Sequence, residues 1–203
     1  MKALLLSPYP DSMGTALRKA GDSYITKSDP IDLDFCLDNR IEFLISYGYR
    51  HLISESILSH FPLKAVNLHI SLLPYARGAH PNFWSIAEGS PTGVTIHLLD
   101  KGLDTGNILF QKEVHIDHGE HTFATSHQLL CHEIERLFYI NWRYIRRSEC
   151  YGWRQDGENT YTYHRSTEIG QWLDCLPQMW DTPIRLFEEL AAQRPSSADP
   201  CIG

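Results

Sequence analysis

Short apolar runs alternate with polar, turn-prone stretches along the first three quarters of this chain. Residues 3–7 (ALLLS) are closed by Pro8 and Pro10, the pattern of a buried strand. Asp11 or Ser12 is placed to cap a helix that runs to Ala20, with Gly21 as its stop. Residues 23–26 read as a strand, 32–40 as a short helix, 41–47 (IEFLISY) as a strand and 54–61 as a helix. Residues 64–67 form the next strand, and 82–88 a helix stopped by Gly89. A β-branched strand over 93–99 (GVTIHLL) is followed by one over 108–114, antiparallel to it through the 101–107 loop. The longest helical pattern covers 121–147, with Leu129, Ile134, Leu137, Phe138 and Ile145 on its apolar stripe.

Strands alternating with helices predict an α/β sandwich, a mostly parallel sheet with helices on both faces. Sites in such sheets lie beyond the carboxyl ends of the strands. The texture changes after Cys150. Residues 151–164 are rich in Tyr, Gly and polar side chains and read as a hairpin, while 167–173 and 183–192 read as short helices. The expected organisation is a main domain over 1–150, a small C-terminal extension over 151–192 and a flexible tail over 193–203.

Composition changes little in that picture. The chain has 203 residues, 42% hydrophobic and 21% charged, as an ordinary globular domain does. With 18 Lys and Arg against 25 Asp and Glu, its formal charge is −7, which argues against a nucleic-acid partner. No apolar stretch approaches the roughly 18 residues of a membrane span, and the short apolar start is unlike a signal segment. Cys36, Cys131, Cys150, Cys175 and Cys201 are scattered, without a C-x-x-C pair, as reduced thiols of a cytoplasmic protein would be.

Two polar clusters carry the candidate chemistry. Asn67-Leu68-His69-Ile70-Ser71-Leu72-Leu73-Pro74 places Asn67 and His69 on one face of an extended segment. Asp100-Lys101-Gly102-Leu103-Asp104-Thr105-Gly106 also follows a strand, so the two are expected to meet at one edge of the sheet. Together they offer an amide donor, an imidazole and a carboxylate. Each piece also has a plain structural reading: a turn-forming Asn, a packed His, a D-x-G turn. A third cluster, His115-Ile116-Asp117-His118-Gly119-Glu120-His121, has the residue types of a zinc site, hence of a metal-dependent hydrolase, but reads better as an exposed polar loop.

The ordered combination N-L-H-I-S-L-L-P, then Arg77-Gly78, then Gly93-Val94-Thr95-Ile96-His97, then Gly102-Leu103-Asp104-Thr105-Gly106 resembles the 10-formyltetrahydrofolate-dependent formyltransferases. The resemblance implies a Rossmann-like formyltransferase sandwich with Asn67, His69 and Asp104 as catalytic trio. Asn67 would donate to the developing oxyanion. His69 would move protons, and Asp104 would orient the imidazole and hold a relaying water. No metal is implied. By position, His51, Leu52 and Ile53, after Arg50, would wrap the pterin of 10-formyltetrahydrofolate, with Leu99, Asp100, Lys101 and Gly102 closing the other side. Leu52, Ile53 and Leu99 equally suit ordinary core packing.

Departures from the family's branches narrow the acceptor. Residues 7–14 lack the Gly-rich phosphate loop of glycinamide-ribonucleotide enzymes, and the residues after Cys150 are too few for a tRNA-handling domain. The N-terminal regulatory domain of the formyltetrahydrofolate hydrolases is not visible either. Ile70 replaces the family's usual proline and changes the loop's stiffness, not its catalytic residues. Residues 75–85 (YARGAHPNFWS) resemble enzymes that formylate nucleotide-linked amino sugars, especially the pseudaminic-acid type of surface polysaccharide pathway. Tyr75, Arg77, Asn82, Tyr163 and His164 are the expected substrate contacts, with Arg77 facing a diphosphate and Asn82 a sugar. Arg77-Gly78 equally suits loop shaping, and Phe83 and Trp84 core filling. Carrier-bound amino acids of the peptide-synthetase type are the alternative acceptor. Compact sugar formyltransferases tend to dimerise through C-terminal elements, which makes 150–192 the region where a homodimer would form.

Overall fold

Strands β1 (Lys2–Leu6), β2 (Ser23–Lys27), β3 (Phe43–Tyr47), β4 (Ala65–His69), β6 (Gly93–Leu98) and β7 (Ile108–Glu113) form one sheet in the order β2-β1-β3-β4-β6-β7. This computed structural model describes residues 1–9, 13–155 and 162–194; the cap expected at Asp11 or Ser12 lies outside them. The first four strands in that order are parallel, while β6 runs antiparallel to both β4 and β7. β4 continues two residues further than the apolar run suggests, because Asn67 and His69 keep their ladder partners on β6.

Helices cover both faces. On one face α2 (Leu33–Asp38) and α3 (Glu55–His60) pack Cys36, Ile57 and Phe61 against Leu4, Leu6, Leu44 and Ala65. Asp32 caps α2, its carboxylate accepting from the Phe35 amide at 2.7 Å. On the other face α1 (Gly14–Lys19), α4 (Pro81–Ala87) and α5 (Phe123–Ile145) bury Leu17, Phe83, Ile134, Phe138 and Trp142 against Leu5, Phe43, Ile45, Val66 and Leu68. α5 starts where Thr122 and Thr125 satisfy each other's backbone amides in a capping box. Its carboxyl end is tied down by Asp22, which accepts from Trp142 Nε1 at 2.9 Å and from Arg146 at 2.5 Å. Among the described residues no helix is long and apolar enough to cross a membrane.

The hairpin expected over 151–164 lies partly outside the described residues, and the described ends of that stretch pair with other parts of the chain. Trp153 bridges Ile108 at the start of β7, and β8 (Tyr163–His164) pairs in parallel with β5 (Arg77–Gly78). Two 3-10 helices (Glu168–Cys175 and Met179–Asp181) and α6 (Ile184–Ala192) follow, the first replacing the short α-helix expected at 167–173. Cys175, Leu176, Ile184 and Phe187 join the α5-side core, where Phe187 meets Phe83, Phe123 and Trp172.

Candidate active site

The alternation of β4 sends Val66 and Leu68 into the α5-side core and turns Ala65, Asn67 and His69 to the opposite face. Asn67 is the direct cross-strand partner of His97 on β6, so their side chains stand together. His97 Nδ1 lies 2.8 Å from its neighbour's carbonyl, Leu98 O, and donates to it. His97 Nε2 is therefore an acceptor, and Asn67 Nδ2 donates to it at 3.2 Å. The second Asn67 hydrogen goes to Asp104 Oδ1 at 3.1 Å.

Asp104 does not arrive from the carboxyl edge of the sheet, as the two-cluster reading expects. Because β6 is antiparallel to β4, it exits beside the start of β4, where the Leu99 amide donates to Ala65 O at 2.9 Å. The loop over 99–107 must then fold back across the sheet face. Asp100 turns it, its Oδ1 accepting from the Gly102 amide at 3.1 Å and the Thr105 hydroxyl at 2.7 Å. Gly106 lets it pass Leu98 closely: a Cβ there would sit 1.8 Å from the Leu98 carbonyl oxygen. Asp104 itself is left-handed, with φ 54°.

His69 closes the group. Its Nε2 is 3.1 Å from Ala76 O and donates to it, leaving Nδ1, 3.7 Å from Asp104 Oδ2, as the nitrogen that can take a proton. Asp104 Oδ2 also accepts from the Gly78 amide at 2.9 Å. His69 and Asp104 are 6% and 8% exposed. Burial holds His69 below the ordinary histidine value, aided by His97 and Arg77, against the pull of Asp104. Burial alone would raise Asp104, yet His69, His97 and the Gly78 amide outweigh it and keep the carboxyl well below the usual carboxylate range. The resting site is thus a neutral imidazole facing an ionised carboxylate.

The loop that brings Ala76, Arg77 and Gly78 here is pinned from below. Thr95 Oγ1 accepts from the Leu73 amide at 3.1 Å, Gln111 Nε2 donates to Leu73 O at 2.6 Å, and Ser71 Oγ donates to Tyr75 O at 2.7 Å. Gly78, at φ 91°, lies so close to β8 that a Cβ would meet His164 O at 2.3 Å.

Of the expected pterin walls, Ile53 and Leu99 pack against the same small core, on the face that carries Asn67 and His69. Leu52 is 89% exposed, an apolar side chain held in water beside that face. An exposed leucine beside the packed Ile53 and Leu99 is the kind of apolar wall that a flat heterocycle such as the pterin of 10-formyltetrahydrofolate would need. His51 leans on Tyr49, while Asp100, Lys101 and Gly102 form the exposed turn just described.

The expected acceptor residues divide. Arg77 and the half-buried Tyr75 lie in the loop beside His69, and the exposed Tyr163 ring stands over Gly78. Asn82 points elsewhere: its buried amide donates to Phe123 O and Ser126 Oγ, both at 3.0 Å, and joins α4 to α5. His164 stacks on Trp84 with ring centroids 3.7 Å apart and bonds Glu88 and Glu168 at 2.7 and 3.0 Å. Both side chains thus already have partners within the fold. His97, Thr95, Gln111 and Gln155 were not singled out from sequence, although the face-sharing of Asn67 and His97 follows from alternation once the pairing is known. In the 115–121 cluster, His118 pairs with Glu188 and His121 with Thr125. Among the described residues no three His, Cys, Asp or Glu converge as a metal site would need.

The sheet order defines an α/β sandwich that holds a largely buried Asn–His–Asp group. The Formyl transferase family matches residues 34–140, more than half of the 203-residue chain, and the chain belongs to that family; it is an N-formyltransferase. The family assignment sets aside the metal-dependent hydrolase. Among solved structures it is similar to the formyltransferase PseJ from Anoxybacillus kamchatkensis in complex with UDP-4,6-dideoxy-4-formamido-L-AltNAc and tetrahydrofolate, at 38% identity, 92% of this chain, 97% of that chain and a TM-score of 0.86. A 4-N formyltransferase from Francisella tularensis (18% identity, 96% and 89% covered, TM-score 0.72) shares the fold. Methionyl-tRNA formyltransferase from Clostridium thermocellum does too (18%, 85% and 75%, TM-score 0.63).

Proposed function

We propose that this protein transfers the formyl group of 10-formyltetrahydrofolate to the amine of a nucleotide-linked amino sugar, in a pseudaminic-acid type of surface polysaccharide pathway in the cytoplasm. The observation that carries the reading is similarity over nearly the whole length of a formyltransferase whose complex holds a UDP-linked formamido sugar and tetrahydrofolate. The cation of Arg77, near enough to act on His69, and the aromatic Tyr163, which pairs with Arg77 across β5 and β8, suit a nucleotide diphosphate.

The folate supplies the formyl carbon. One Asn67 hydrogen swings from Asp104 Oδ1 to the formyl oxygen as negative charge develops there, while His97 Nε2 holds the other and keeps the amide plane aimed. As the amine bonds to the formyl carbon, His69 Nδ1 takes the proton it loses, and that proton is handed on to N10 of the folate as its bond to the formyl carbon breaks and tetrahydrofolate leaves. The imidazolium so formed faces Asp104 Oδ2, so proton uptake creates an ion pair inside the protein. Burial, which keeps His69 neutral beforehand, makes it ready for that task.

An acceptor screen with 10-formyltetrahydrofolate tests the reading, scored by the mass gain of a formyl group. UDP-linked 4-amino sugars are expected to be formylated. Formylation of carrier-bound amino acids or glycinamide ribonucleotide, with the sugars untouched, overturns it. A homodimer through residues 150–192 is the expected assembly, read by light scattering.

A further inference from the structure

We infer that Gln155 is a positioning residue for formyl transfer, a clamp that holds the Arg77 loop and the Asp104 loop in register across the catalytic group. It rests on the formyl-transfer reading above.

Every hydrogen-bonding group of the Gln155 amide is used. Its Oε1 accepts from Arg77 Nε at 3.2 Å and from Arg77 Nη2 at 2.6 Å. Its Nε2 donates to Asp104 O and Gly106 O, each at 2.8 Å. The orientation of the amide is fixed by its surroundings: a guanidinium only donates and two carbonyls only accept, so the flipped amide would fail at all four contacts. The carbonyls belong to Asp104, in a left-handed conformation that a non-glycine residue keeps only when its surroundings enforce it, and to Gly106, at the loop's closest approach to β6. The residue next to Arg77, Gly78, donates to the Asp104 carboxylate. Gln155 therefore spans the two ends of one short circuit: Arg77 to Gly78, Gly78 to the Asp104 side chain, Asp104 backbone to Gln155, and back to Arg77. His69 lies inside that circuit, between Ala76 O and Asp104 Oδ2.

The position of Gln155 is itself set by chain direction. Asn107 Nδ2 donates to Tyr151 O at 3.3 Å and Trp153 exchanges backbone hydrogen bonds with Ile108, so residues 151–155 run alongside the second half of the Asp104 loop. The side chain at 155 is thereby delivered next to Asp104 and Gly106. None of the four Gln155 contacts is made to the expected folate residues at 51–53 and 99–102.

The geometry separates a clamp from mere packing. Gln155→Met keeps length and volume but loses all four hydrogen bonds. Gln155→Glu keeps the acceptor for Arg77 and turns a carboxylate oxygen on two carbonyls. For Gln155→Met, kcat is expected to fall about 10- to 100-fold with the KM for 10-formyltetrahydrofolate within about twofold. The acid limb of its pH–rate profile should move to higher pH as Arg77 leaves the neighbourhood of His69. Gln155→Glu is expected to be as slow at pH 8 but to recover part of its rate on acidification, when the protonated carboxyl regains one donor. The recovery runs opposite to the fall the native enzyme shows over that range. A native kcat and pH profile in Gln155→Met overturns the clamp. If that variant does not fold, judged by circular dichroism, a Gln155→Glu profile parallel to the native one overturns it alone. Absence of transfer by the native enzyme would instead remove the functional reading, so the two failures are distinct.

Discussion

Proton acceptance at His69 depends on which nitrogen is committed elsewhere. With Nε2 donating to Ala76 O, only Nδ1 can serve, and only while the ring is neutral. Burial lowers its pKa, so the neutral form dominates above the ordinary histidine range and the rate should be flat there. It should fall only on acidification past that range, as His69 takes up a proton, and a native profile that rises toward acid would contradict His69 as base. His69→Ala is expected to abolish transfer while keeping the fold, read by formyl mass gain and circular dichroism. Asn67→Ala should cost about 10²- to 10³-fold in kcat, the usual loss for one oxyanion donor. Motif and alternation single out Asn67, His69 and Asp104 in the sequence, and the fold brings the three side chains together. His97 was not legible there, since its pairing with Asn67 needs the antiparallel register of β4 and β6, which the local sequence leaves open. The internal partners of Asn82 and His164 were hidden for a related reason: residue type shows a polar side chain but not which face of its element turns inward.

Strands and helices of the main domain were largely legible, since apolar runs, cap residues and stop glycines mark each one locally. The two-residue strands β5 and β8 carry no such mark; they exist only because Gly78 allows close approach to His164. The fold-back of the 99–107 loop was equally hidden, being a product of β6 direction. It makes a sharp prediction at Gly106. Gly106→Ala would drive a methyl to 1.8 Å from Leu98 O, so backbone must move and Asp104 with it. The variant is expected to lose about 2–4 kcal/mol of stability, as strained and overpacked sites do, and to lose transfer activity by more than Gly102→Ala. Chemical denaturation and single-turnover rates measure the two effects separately.

On the scale of the molecule, Cys175, Leu176, Ile184 and Phe187, all beyond Cys150, are part of the main core. Phe187 packs edge-on against Phe83 and Phe123 and tilts against Trp172, joining α6 to α4, α5 and the first 3-10 helix. Phe187→Ala should cost about 3–5 kcal/mol and lower the melting temperature by roughly 10 °C, a shift that differential scanning calorimetry resolves. A small local effect would mean that α6 is a detachable appendage.

The pairing of Arg77 with Tyr163 also has a meaning in time. Every atom of the Asn–His–Asp group is synthesised by residue 104, yet the strand that lines its acceptor side comes about sixty residues later on the ribosome. Contacts that span so much chain close late, after the local hairpins and helices. A nascent chain that has reached residue 150 holds Asn67, His69 and Asp104 but still lacks the strand that pairs with Arg77, so the order of synthesis sets the order in which the two sides of the group are built.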